Sequence, residues 1–136
     1  MKGAEEIRPV NIETGFYPSF PTDMQAQMMS LLCKAAGAST ISEHVYPDRF
    51  THVPELKRLG ALITLDGSVA VVTGRDRLEG APVMATDIRA SSALIIGGFM
   101  AEGETKVLRV YHIDRGYERI EEKLQRLGAD IVRIRE

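Results

Sequence analysis

The chain has 136 residues, 44% hydrophobic and 26% charged, with a formal net charge of −2 and one cysteine. That length suits one domain with its own core, and the charge balance leaves no basic footprint for nucleic acid or an anionic membrane surface. Cys33 alone excludes an internal disulfide framework and fits a reducing cytoplasm, and with three scattered histidines (His44, His52 and His112) it makes no zinc site. The low aromatic content, 6% with no tryptophan, speaks against a stacking platform for single-stranded nucleic acid. No apolar run reaches the roughly 20 residues of a membrane span, and the start "MKGAEEIRPVNI" lacks the apolar stretch of a signal peptide.

In chain order, "PVNI" reads as a short strand and "ETGFYPSFP" as a loop of turn formers. "TDMQAQMMSLLCKAA" has helical spacing, with Thr22 as N-cap, Gln25 completing a capping box, and Gly37 as the stop. "STISEHVY" reads as a strand ending near Val45, "PDRF" as a turn, and "HVPELKRLG" as a short helix with Pro54 in its first turn. "ALITLDGSVAVVTG" is a hairpin with Asp66-Gly67 at its turn. "APVMA" is a strand, "TDIRASSALIIGGFMAEG" a helix, "TKVLRVYHI" a strand, "GYERIEEKLQRLG" a helix and "ADIVRIRE" a final strand.

The second half repeats the first. "TDMQA" at 22 returns as "TDIRA" at 86, "PDRF" at 47 aligns with "IDRG" at 113, and "LKRLGA" at 56 returns as "LQRLGA" at 124. This period marks an internal duplication, with one β-α-β-α-β(β) unit over about 9–74 and another over about 80–136. The class is mixed α/β. Gly97 and Gly98 inside a helix each cost about 1 kcal/mol against alanine, which points to close packing there. "SSALIIGGFMA" is apolar almost all round, the mark of a helix buried on most sides. Both long helices are therefore expected inside, with sheets around them.

"FPTDMQAQ", "RFTHVPELKRLGA", "VMATDIRAS" and "YHIDRGYERIEEKLQRLGADI" closely resemble the UDP-N-acetylglucosamine 1-carboxyvinyltransferase family of enolpyruvyl transferases. The resemblance runs over nearly the whole chain and matches the C-terminal portion of a much longer enzyme. It implies part of an inside-out α/β barrel lobe with buried helices: a single partial lobe over 1–136. It also implies a reaction moving the enolpyruvyl group of phosphoenolpyruvate to the sugar 3-hydroxyl of UDP-N-acetylglucosamine, in peptidoglycan precursor synthesis. The implied partners are those two substrates and the missing N-terminal portion; no cofactor and no metal are implied. The family's lysine-asparagine pair and general-acid loop have no counterpart here. Cys33, mid-helix in an apolar run, reads as a buried structural thiol.

The resemblance makes Asp23 the residue that contacts the 3-hydroxyl and accepts its proton; the alternative is a first-turn carboxylate that complements the helix dipole. Asp87, its repeat partner, resembles a second active-site aspartate, or else preserves only a capping turn. Arg89 and Arg115 match arginines that hold the phosphoenolpyruvate end, a task suited to a guanidinium fork; the alternative is a solvated charge. Val45 matches a position whose backbone contacts the nucleotide sugar. Arg49, in "PDRF", reads as structural. Methionines 24, 28 and 29 read as core filler, and the "ERIEEKLQR" charges as a solvated helix face. Two other readings stand beside this one: a fragment of 3-phosphoshikimate 1-carboxyvinyltransferase, and a non-catalytic module that self-associates through uncovered apolar faces.

Overall fold

The hairpin is the simplest element to derive. In the structure, a computed structural model describing residues 3–135, β3 (Leu62–Asp66) and β4 (Val69–Thr73) pair antiparallel. Gly67 turns between them at a φ of 57°, where a glycine carries no steric penalty. Ile63, Ala70 and Val72 face the core, and Leu62 and Val71 face outward. β4 also pairs antiparallel with β2 (Ala38–Ser42), and β2 pairs parallel with β1 (Ile12–Glu13), giving the order β1-β2-β4-β3. Parallel neighbours need a crossover. Here it is a 3₁₀ turn, Thr22–Met24, running into α1 (Gln25–Leu32). A short α2 (Val53–Arg58) with Pro54 in its first turn leads into the hairpin.

Further along, β5 (Leu78–Glu79) pairs parallel with β7 (Ala101–Glu102), and β6 (Pro82–Met84) pairs parallel with β8 (Lys106–Leu108). The crossover is α3 (Ile88–Met100). α4 (Tyr111–Asp114) and α5 (Ile120–Arg126) follow. The mixed α/β class expected from the sequence holds, with both parallel and antiparallel pairs.

The core forms where α1 meets α3. Met29 and Leu32 from α1, and Ala90, Ala93 and Leu94 from α3, are buried, and Ser30 Oγ donates to Ala93 O at 2.7 Å. Gly97 lies in this seam. A Cβ there would stand 2.9 Å from Leu59 Cδ1 and 3.1 Å from Ser30 Oγ, so a side chain at this position would force these buried neighbours to shift. Cys33 is fully buried, and burial pushes its thiol up to about 12 against a weaker lowering by backbone hydrogen bonding. It is an inert core residue, as its apolar neighbours in sequence suggested. Among the described residues no helix is long and apolar enough to cross a membrane.

Five local expectations are corrected. Pro21, not Thr22, occupies the cap before the 3₁₀ turn, and no capping box forms, because Thr22 and Gln25 turn their side chains to Glu43. α1 ends at Leu32, well before Gly37. β2 ends at Ser42, because Glu43 turns inward and its carboxylate ties down the next two backbone amides; Val45 lies in the loop beyond. β8 ends at Leu108, since Arg109 adopts a left-handed φ of 58° and "YHI" folds into α4. The last segment, 129–135, forms no strand, because among the described residues no strand lies beside it to complete a ladder. β5 and β7, two residues each, carry too little pattern to be read from sequence.

Gly97→Ala is expected to lower stability by about 1–2 kcal/mol in urea denaturation through overpacking, despite alanine's better helix propensity of about 1 kcal/mol. An unchanged or raised midpoint would show that the seam has slack.

Candidate functional site

The site is built on a buried carboxylate. Glu43 is 1% exposed and accepts hydrogen bonds from Thr14 Oγ1 (2.7 Å), Thr22 Oγ1 (2.7 Å), Gln25 Nε2 (3.3 Å), and the backbone amides of Val45 (3.0 Å) and Tyr46 (3.1 Å). Burial raises its pKa, and the donors outweigh that and hold it below the usual carboxylate range. One side chain thus fixes the end of β1, the start of the 3₁₀ turn and the loop after β2.

The loop and turn it fixes border an open depression of about 340 Å³, whose lining includes Asp23, Val45, Tyr46, Arg49 and Arg89. Asp23 Oδ1 accepts from Arg89 Nε at 2.7 Å and from Arg49 Nη1 at 3.3 Å. Arg49 also donates to Thr22 Oγ1 at 3.1 Å, lies 4.0 Å over the Tyr46 ring, and has its carbonyl held by Gln25 Nε2 at 2.8 Å. Two guanidinium groups therefore converge on one solvent-facing carboxylate. Such a group of cations suits phosphate or carboxylate ligands, with Asp23 available to a ligand hydroxyl.

Asp23, Val45 and Arg89, candidates from the sequence, thus share one depression. Asp87 has a different situation. Its Oδ1 accepts from the amides of Arg89 (2.8 Å) and Ala90 (2.9 Å), and its Oδ2 from Thr51 Oγ1 (3.1 Å) and Thr86 Oγ1 (3.4 Å). It is the N-cap of α3. Burial raises its pKa, but these donors bring it below the usual range. Through the cap it fixes the backbone from which Arg89 projects. Arg115 does not line the depression. It caps the C-terminal end of α4, exposed, with no side-chain partner among the described residues. The next residue, Gly116, abuts Ile88 at the start of α3, which brings the Arg115 backbone to the α3 mouth.

Arg49, read as structural from the sequence, sits beside Asp23; Gln25 reads in sequence only as part of a capping box, and Glu43 carries no signal there. A lone Glu at a strand end has no sequence signature; its side-chain donors lie 18 to 29 positions away. His52 is also buried, with Nε2 lacking a hydrogen-bond partner among the described residues. Burial pulls its pKa down to about 4, partly opposed by the Asp87 charge.

The family model described as EPSP synthase (3-phosphoshikimate 1-carboxyvinyltransferase) matches residues 1–124. The chain is 58% identical, over its full length and 33% of the relative's, to UDP-N-acetylglucosamine 1-carboxyvinyltransferase of Geotalea uraniireducens. It is 63% identical, over 93% of the chain and 30% of the relative, to the enzyme of the same name from an Anaeromyxobacter species. The enolpyruvyl transferase NikO from Streptomyces tendae superposes with a TM-score of 0.84 at 32% identity, covering 93% of this chain and 30% of that one. An EPSP synthase structure from Acinetobacter baumannii, at 20% identity and a TM-score of 0.65, shares the fold. The chain spans about a third of the length of the curated relatives it matches.

His52, Glu43 and Asp87 predict acid sensitivity with a definite sign. His52 is depressed in the fold, so its contribution is complete above the unfolded value of about 6.5. It is lost as pH falls toward about 4, on the order of 3 kcal/mol. Glu43 and Asp87, also depressed, lose theirs below the ordinary carboxylate range as pH falls through their folded values. Urea unfolding across pH should show both phases. His52→Gln should flatten the upper phase and Glu43→Gln the lower; wild-type slopes in both variants would contradict the assignment.

Proposed function

The chain belongs to the EPSP synthase family, and from that premise we propose that it supplies part of a site transferring enolpyruvyl from phosphoenolpyruvate to the 3-hydroxyl of UDP-N-acetylglucosamine. The observation that carries this is the Asp23 carboxylate, open to solvent and flanked by Arg89 and Arg49, with the Val45 backbone beside it. Asp23 accepts the hydroxyl proton while the sugar oxygen bonds to C2 of phosphoenolpyruvate. Protonation of the methylene carbon comes from an acid outside these residues. Loss of a proton from the resulting methyl group and departure of phosphate then re-form the C2–C3 double bond and leave the enolpyruvyl ether of the sugar. Arg89 and Arg115 hold the phosphate and carboxylate charges; Asp87 acts by orienting the first turn of α3. Val45 offers its backbone to the nucleotide sugar.

The remainder of a longer protein completes the site, in the cytoplasm and on the route to peptidoglycan. The 3-phosphoshikimate reaction is the weaker alternative: relatives at 58% and 63% identity bear the UDP-sugar name, whereas an EPSP synthase structure at 20% identity supports the fold alone. A non-catalytic assembly module does not account for two arginines aimed at one exposed carboxylate.

The 136 residues alone should release no phosphate from phosphoenolpyruvate and UDP-N-acetylglucosamine. In a longer protein carrying this segment, Asp23→Asn should lower kcat by about 10²–10⁴-fold. UDP-N-acetylglucosamine, and not shikimate 3-phosphate, should serve as acceptor. Turnover by the chain alone, or full activity in Asp23→Asn, would refute the reading.

A further inference from the structure

A second group of cations gathers at the far end of α1 from Asp23. The loop 74–77 that joins β4 to β5 is pinned along its length. Gly74 N donates to Gly37 O and Arg75 N to Cys33 O, each at 2.9 Å, and Lys34 Nζ donates to Asp76 O at 2.7 Å. Just beyond the loop, Glu79 N donates to Leu59 O at 2.9 Å. A Cβ on Gly74 would overlap the Ala35 carbonyl, so the loop lies directly against the chain that leaves α1. Asp23 and Cys33 bracket α1, and at about 1.5 Å per residue the helix holds the two regions about 15 Å apart.

Arg75 and Arg77 of this loop, Arg58 from the last turn of α2, Gly60 and Glu79 line one depression of about 220 Å³. Arg75 Nη1 donates to Gly60 O at 2.8 Å, which fixes its guanidinium over the turn after α2. Arg58 meets Glu55 through Nε at 3.6 Å; Arg77 meets Glu102 at 3.1 Å and Glu79 at 3.7 Å, again through Nε. Among the described residues no hydrogen bond engages the Nη fork of Arg58 or Arg77. Both side chains are 63% exposed, and ion pairs this open to water are weak enough to yield to a better ligand. Complementing the C-terminal end of α2 accounts for Arg58. It does not account for Arg77, which stands among the carboxylates of β5 and β7.

We propose that Arg58, Arg75 and Arg77 form a second anion site, separate from the Asp23 depression, that takes a phosphoryl dianion. Three guanidinium groups against the one carboxylate of Glu79 leave two positive charges in the lining, which matches the charge of the ligand. A carboxylate ligand is planar and is satisfied by a single fork, whereas a tetrahedral phosphoryl group offers oxygens to donors arriving from several directions. Free phosphate and a phosphate monoester share this chemistry. The rigid loop brings Arg75 and Arg77 to the site, and α2 brings Arg58, so binding costs little ordering of backbone. The inference stands apart from the transferase reading, since it uses no residue of the Asp23 depression.

The test titrates the 136-residue chain with inorganic phosphate, and separately with glycerol 3-phosphate, at constant ionic strength and follows backbone amide NMR shifts. Saturable shifts at residues 58–60 and 74–79 are expected. Arg77→Gln should weaken binding about tenfold, through loss of a charge-assisted contact. Glu79→Gln should strengthen it about threefold, by removing the opposing charge; a gain of affinity cannot come from a variant that folds poorly. Arg89→Gln, which removes a cation from the other depression, should leave these shifts unchanged. Equal affinity for the two probes assigns the site to the free ion, and a preference for the ester assigns it to a phosphate monoester. Shifts at these residues that grow linearly without saturating would overturn the proposal. So would wild-type affinity in both Arg77→Gln and Glu79→Gln.

Discussion

A single buried carboxylate sets the local geometry on which the site depends. Glu43 is removed from water and can be tolerated there only because each of its oxygens is satisfied. Its donors come from three separate stretches: Thr14 after β1, Thr22 and Gln25 at the start of the first crossover, and the backbone of residues 45–46. Moving any one of them would strand a buried charge or a buried donor. The arrangement therefore fixes mutual position in a way that apolar packing, which is non-directional, does not. Asp23 rides on the turn whose first residue Glu43 holds, and Arg49 is placed by Gln25 and Tyr46, both of which bond the same carboxylate.

The two aspartates at helix entrances look interchangeable in sequence, because the repeat preserves "TD" before each apolar helix. They are separated by what surrounds their oxygens. Asp87 has four donors and serves as a cap that sets the direction of α3. Asp23 leaves its carboxylate in solvent, contacted by one guanidinium group from the loop after β2 and one from the first turn of α3. A carboxylate with open coordination can take a proton from a ligand, and one saturated by its own helix is a fixture. The duplication thus supplied two copies of one turn, of which one holds backbone and the other faces the depression.

The pattern of the chain made much of the fold legible. The hairpin was readable because alternation and Asp66-Gly67 are local signals, and the α1–α3 seam because Gly97 costs helix stability unless a neighbour comes close. The failures share a cause. Thr22 and Gln25 fit a capping box locally, but the buried Glu43 competes for both side chains and wins. "ADIVRIRE" alternates like a strand, yet a strand exists only through its neighbours, and among the described residues none lies beside 129–135. For the site, Asp23, Val45 and Arg89 were found through family likeness. Arg49 was undervalued because its role lies in contacts across 26 positions that no local motif encodes.

On the proposed reading Asp23, set by the Glu43 hub and flanked by two arginines, meets the acceptor hydroxyl. The most direct measurement is a crystal structure of the longer protein carrying this segment, with UDP-N-acetylglucosamine bound. The account predicts a carboxylate oxygen of Asp23 within hydrogen-bonding distance of the sugar 3-hydroxyl, about 2.5–3.0 Å, with the Val45 backbone against the same ligand. A sugar bound away from this depression, or an Asp23 still held by Arg49 and Arg89 with its oxygens turned from the hydroxyl, would contradict it.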